Sequence, residues 1–129
     1  MRLVLVRHAE AAPGSPDELR TLTPAGREQA KQLGEQLRAR RIEPDAILTS
    51  PLLRAQETGA ALGFADPEPH DLLAPGATEE DVREAVLGRG DTVVVVGHQP
   101  DCGRIAAALG DGTEPPFPPA GVVVLDLQP

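Results

Sequence analysis

Arg7-His8 and Gly97-His98 are the two dipeptides of this chain best suited to chemistry, and Arg54 is the cation that can join them. A neutral imidazole is a nucleophile at ordinary pH, and a guanidinium presents a planar fork that matches the oxygens of a phosphate. Binding and transferring a phosphoryl group needs this combination: fixed positive donors around the oxygens and a nucleophile in line with the leaving group. Singly, each residue has a plainer reading, since a lone arginine on a helix is usually a surface residue and a lone histidine after a strand is usually structural. Their joint placement argues for more.

That placement comes from the elements around them. Leu3-Val4-Leu5-Val6 runs into Arg7-His8, and Thr92-Val93-Val94-Val95-Val96 runs into Gly97-His98. Short β-branched runs of this kind read as buried strands of a parallel sheet, with polar groups only at their exits. Adjacent side chains on a strand point to opposite faces, so Arg7 and His8 can converge only where the strand ends. A further short strand is predicted at 46–49, a possible one at 70–73, and a last one at 122–127. Thr23-Pro24 opens a helix as N-cap and first helical residue, with Ala30, Leu33 and Leu37 on one face and an end near Arg40-Arg41. Ser50-Pro51 repeats the device before a helix over 52–62, which puts Arg54 in a first turn whose free N–H groups also favour an anion. Thr78 and Asp81 have capping-box spacing ahead of a short helix at 79–87, and Pro100 precedes one at 101–109. Residues 11–20 and 110–119 read as loops. Strands alternating with helices imply a three-layer α/β/α sandwich on a mainly parallel sheet, with the site in the crevice at the strand ends.

The 129 residues make one domain, 1–129, by length. With no Trp or Tyr and only Phe64 and Phe117, the core must be aliphatic. A net charge of −8 without a basic run argues against nucleic acid or an anionic membrane as partner. It leaves room for an anionic substrate, because distant carboxylates are screened over about 10 Å. Cys102 is the single cysteine, so no internal disulfide can form, which fits a reducing compartment. The first eight residues do not read as a signal peptide, and no apolar run reaches the roughly 18 residues of a membrane span. A cytoplasmic protein is expected. His8, His70, His98 and Cys102 show no paired ligand spacing, so no metal and no other cofactor is expected.

Beyond these single residues, four ordered blocks carry a resemblance. Arg7-His8-Ala9-Glu10, Leu22-Thr23-Pro24-Ala25-Gly26, Ser50-Pro51-Leu52-Leu53-Arg54-Ala55-Gln56-Glu57-Thr58 and Gly97-His98-Gln99-Pro100 resemble the histidine phosphatase superfamily, whose fold is phosphoglycerate-mutase-like. The short chain, with Asp17, Arg20 and Leu22-Thr23 before the first long helix, is similar to the SixA-type phosphohistidine phosphatases, a minimal form without a lid insertion. The resemblance implies that His8 is the nucleophile and passes through a phosphohistidine. It implies that Arg7, Arg54 and His98 grip the equatorial oxygens, His98 best when protonated, with the backbone N–H of Gln99 as a further donor. Arg20, Glu10 and Ser50 are further candidates for substrate binding, Glu10 by orienting a donor or bridging to Arg20.

Many members of the superfamily place a carboxylate between the Arg54 and His98 blocks as general acid. Here Glu79 and Glu80 are the candidates, though a solvated first helical turn explains them as well. A phosphoramidate leaves more easily than an alkoxide, so the missing clear acid favours phosphohistidine on a protein. Two alternatives stay open: a small-molecule phosphomonoester, and a non-enzymatic module that binds phosphorylated partners.

Overall fold

The computed structural model describes residues 1–128. Five strands form one sheet: β1 (Arg2–Arg7), β2 (Ala46–Thr49), β3 (Glu68–Pro69), β4 (Thr92–Gly97) and β5 (Val122–Asp126). Their order is β3-β2-β4-β1-β5, parallel throughout except for β5, which pairs antiparallel with β1 at the edge. Side chains alternate strictly across the buried strands, as the two-residue period demands. Leu3, Leu5, Leu48, Val93 and Val95 pack on one face with Val82, Val86, Ile105 and Phe117. Val4, Val6, Ile47, Val94 and Val96 pack on the other with Leu33, Leu37, Ala55 and Leu62. Helices α1 (Pro24–Ala39) and α2 (Leu53–Ala61) therefore cover the second face, and α3 (Glu79–Val86) and α4 (Asp101–Leu109) the first. The result is the three-layer α/β/α sandwich expected from the alternating elements.

Helix α1 starts as its sequence requires. Thr23 accepts the Gly26 N–H at 2.9 Å and Pro24 occupies the first helical position. Its buried stripe, Gly26, Ala30, Leu33, Gly34 and Leu37, follows the three- and four-residue spacing. The two glycines allow close packing, since a Cβ at Gly26 would sit 2.0 Å from the Glu10 carbonyl oxygen and one at Gly34 2.2 Å from that of Leu62. The predicted capping box of α3 is present, Thr78 and Asp81 exchanging side-chain and backbone hydrogen bonds.

Two local expectations fail. Residues 70–73 are not a strand: the edge strand is the earlier pair Glu68–Pro69, and Asp71–Leu73 curl into a 3₁₀ turn. The His70 side chain caps that turn by accepting the Leu72 N–H at 3.1 Å, a local bond that competes with extended backbone. Ser50 does not cap α2 either. The helix begins at Leu53 with Leu52 as its flanking residue, and the Ser50 hydroxyl, which accepts the Leu52 N–H, also meets His98. Among the described residues no helix is long and apolar enough to cross a membrane.

Candidate active site

Register brings the two histidines together. The last paired residues of β1 and β4 are Arg7 and Gly97, so His8 and His98 leave the sheet side by side. Their ring centroids are 5.2 Å apart and tilted by 58°. The His8 N–H donates to the Gly97 carbonyl at 2.9 Å, fixing the two exits to each other. On the other flank of β4, Thr49 pairs with Val96, and the Ser50 N–H donates to the Val96 carbonyl at 3.0 Å. Three neighbouring strand ends thus meet at one crevice, where open α/β sheets bind ligands.

His8 is oriented through one ring nitrogen. Its Nδ1 lies 2.7 Å from the Ala9 carbonyl, which accepts only if Nδ1 carries the proton. The Nε2 lone pair is then free, the arrangement a nucleophilic imidazole requires. Burial holds the His8 pKa below the ordinary histidine value, with the Arg54, Arg7 and Arg20 charges adding to the fall and the Ala9 contact opposing it. The ring is accordingly neutral at pH 7. Its loop is tied down by the Ala9 N–H, which donates to Thr58 Oγ1 at 3.0 Å, while that hydroxyl donates to the Arg54 carbonyl at 2.7 Å. One residue of α2 therefore connects the His8 loop to the helix turn that carries Arg54.

The cations are held from behind. Arg7 continues the alternation of Leu3 and Leu5, and its Nη1 donates to the Phe117 carbonyl at 2.9 Å. Arg54 is buried; Nη1 donates to the Asp17 carbonyl at 2.9 Å and Nη2 to the Asp17 carboxylate at 3.1 Å. In His98, Nε2 lies 2.7 Å from Ser50 Oγ, and the Leu52 N–H also donates to that oxygen, at 3.2 Å. Among the described residues, three buried side-chain nitrogens have no protein partner: Arg7 Nε, Arg54 Nε and His98 Nδ1. Buried polar groups are satisfied in the great majority of cases, so exceptions call for a ligand or solvent. All three fall on Arg7, Arg54 and His98, the residues that share the crevice with His8.

The charge of His98 depends on what fills the site. Burial, reinforced by His8 and Arg54, pushes its pKa down to about 4, so in the free site it is neutral at pH 7. An arriving dianion acts in the opposite sense and favours the proton.

The remaining candidates separate. Arg20 joins the site edge: Nε donates to the Ala12 carbonyl at 2.9 Å and Nη1 to the Asp17 carboxylate at 3.1 Å. Glu10 does not bridge to Arg20. Its carboxylate accepts the Thr23 hydroxyl at 2.6 Å and its carbonyl accepts the Thr23 N–H, so it anchors the start of α1. The Gln99 side-chain oxygen accepts the Gly103 N–H at 2.7 Å. Glu79 and Glu80 sit in the first turn of α3, hydrogen-bonded to none of the site residues. The buried Cys102 thiol, raised to about 12 by burial and by Asp101, is inert.

Sequence reasoning could not identify which carbonyls, those of Ala9 and Phe117, hold His8 and Arg7, since no side-chain signal exists for them. It also undervalued Thr58 and Asp17, although both lie in segments that carried the resemblance.

Comparison with known proteins points to one family. A family model described as the histidine phosphatase superfamily (branch 1) matches residues 3–91. An uncharacterised protein of Picosynechococcus is 34% identical over 123 residues, covering 87% of this chain and 74% of the relative. The phosphohistidine phosphatase SixA of Escherichia coli is 29% identical over 127 residues, covering 91% of this chain and 79% of the relative. A solved structure of the protein histidine phosphatase SixA complexed with tungstate superposes with a TM-score of 0.86 at 25% identity, over 96% of this chain and 86% of that one.

Proposed function

This chain belongs to the histidine phosphatase superfamily and is a phosphatase; we propose that its substrate is a phosphohistidine carried on a protein and that His8 is its nucleophile. The observation that carries the reading is the set of unclaimed donors on Arg7, Arg54 and His98 around a neutral His8 whose Nε2 is free. In the first step the Nε2 lone pair attacks phosphorus as the bond to the substrate imidazole breaks. That imidazole leaves with a proton from solvent, and His8 becomes the phosphohistidine. In the second step water attacks phosphorus on the same line, orthophosphate departs, and the lone pair returns to Nε2. The two guanidinium groups offset charge on the equatorial oxygens in both steps.

His98 can donate while neutral. It does so when the Ser50 hydroxyl, which accepts the Leu52 N–H, gives its own proton to His98 Nε2. That leaves the imidazole proton on Nδ1, the nitrogen without a protein partner.

A protein-borne phosphoryl group needs an open site. Helix α3 is committed to the sheet face through Val82, Ala85 and Val86, and the described residues between α2 and β4 supply no other helix to act as a cover. Asp17, at the edge beside Arg54, is 61% exposed. A phosphoramidate also suits a site to which Glu79 and Glu80 make no hydrogen bond. The lone, unpaired Cys102 supports a cytoplasmic setting.

The test is direct. Incubation with a phosphorylated histidine-containing domain should release orthophosphate, and His8→Ala should abolish release. Turnover of simple alkyl phosphates alone, with the phosphorylated domain untouched, would instead favour a small-molecule ester.

A further inference from the structure

We propose that Asp17 is a positioning residue of this site, holding Arg54 by its two Nη groups so that the guanidinium is fixed in place for the phosphoryl group. The proposal rests on the anion-binding role given to Arg54 above. A guanidinium has five N–H donors in a fixed fork. Asp17 takes one from Nη1 through its backbone carbonyl and one from Nη2 through its carboxylate, while the buried Nε–H has no partner. The contact is unusual in its asymmetry. Arg54 is 8% exposed and Asp17 61%, so a surface carboxylate reaches in to chelate a buried cation. Its own position is braced, because the second carboxylate oxygen accepts Arg20 Nη1 at 3.1 Å and Arg20 is pinned to the Ala12 carbonyl.

An opposite reading makes Asp17 an internal competitor that occupies the phosphate position. A competitor would take the donor edge that the anion needs. Asp17 takes only two of the five N–H donors and is itself held by Arg20, which is the geometry of a brace. The carboxylate's charge does repel an incoming dianion, but an exposed, screened charge changes affinity only by about twofold to threefold. Losing the orientation of a buried charge-assisted donor costs about tenfold or more. Orientation therefore prevails, and removal of the carboxylate should weaken binding.

The experiment compares wild type, Asp17→Asn and Asp17→Ala, each with Arg54 and with Arg54→Lys. Orthophosphate affinity by titration calorimetry and kcat/KM on an aryl phosphate are the two readouts. Asp17→Ala should lose about tenfold in both. Asp17→Asn, whose amide oxygen still accepts from Nη2, should recover most of that loss. With Arg54→Lys, the alanine change should alter either readout by less than about twofold, because Asp17 acts through Arg54. Equal or tighter phosphate binding by Asp17→Ala overturns the proposal, as does the same tenfold loss with Arg54→Lys. Calorimetry needs no turnover: if phosphate binds and Asp17→Ala weakens it while no variant turns over, the brace stands and the catalytic reading falls.

Discussion

Replacing Ser50 by alanine removes one oxygen on which two groups depend. Ser50 Oγ is the partner of His98 Nε2 at 2.7 Å and of the Leu52 N–H at 3.2 Å, and both Ser50 and His98 are buried. Since His98 Nδ1 has no protein partner, the substitution leaves the whole ring without one. Stranding buried polar groups in this way costs about 1–3 kcal/mol. For 129 residues, an unfolding entropy of about 2.1 cal/mol/K per residue sums to roughly 0.27 kcal/mol/K, so a loss of about 2 kcal/mol lowers Tm by about 7 °C. Activity should suffer separately. Without the hydroxyl, nothing specifies which nitrogen of the neutral His98 carries the proton, and kcat/KM on an aryl phosphate should fall by about tenfold or more. Scanning calorimetry and steady-state kinetics on the same preparation read both effects. A Tm within about 1 °C of wild type together with kcat/KM within about twofold would refute the reasoning.

Other sites give contrasting outcomes. Gly34→Ala gains about 1 kcal/mol of helix propensity, yet its Cβ would lie 2.2 Å from the Leu62 carbonyl oxygen, so thermal denaturation should show net destabilisation of about 1–3 kcal/mol. Both site histidines have pKa values below the ordinary value, His98 at about 4, so between pH 6.5 and 4 the unfolded chain binds more protons than the native one. Stability contributed by neutral His98 is therefore present above pH 6.5 and lost as pH falls toward 4; Tm should drop between pH 7 and 5, and His98→Asn should flatten that slope. Glu79→Gln and Glu80→Gln should each leave phosphoramidate hydrolysis within about threefold of wild type, whereas a general acid would show about 10²-fold losses.

The fold could be read from the chain wherever one physical pattern acted alone. The runs Leu3-Val4-Leu5-Val6 and Val93-Val94-Val95-Val96 are apolar on both sides, as strands covered by helices must be, and they became the paired centre of the sheet. Thr23-Pro24 and Thr78/Asp81 marked helix starts because their caps are local. Ser50-Pro51 carried the same local signal and misled, since the hydroxyl meets a histidine 48 residues away in sequence. The segment 70–73 misled for the reverse reason, a side-chain turn cap at His70 outcompeting a weak edge strand. At the site, side chains with distinctive chemistry were recognisable: His8, His98, Arg7 and Arg54. The groups that aim them were not. The Ala9, Phe117 and Asp17 carbonyls are common to every residue type, and only folding shows which carbonyl lies behind which donor. The low pKa of His98 in the free site was equally hidden, because burial and a neighbouring histidine set it.

The central claim is that His8 attacks phosphorus. Mixing the enzyme with an aryl phosphate, quenching under basic conditions and mapping peptides by mass spectrometry tests it most directly. The account predicts one phosphoryl group on the peptide containing His8, stable to base and labile to acid, and absent from His8→Ala. A phosphoryl group on His98 would contradict it, and so would undiminished turnover by His8→Ala.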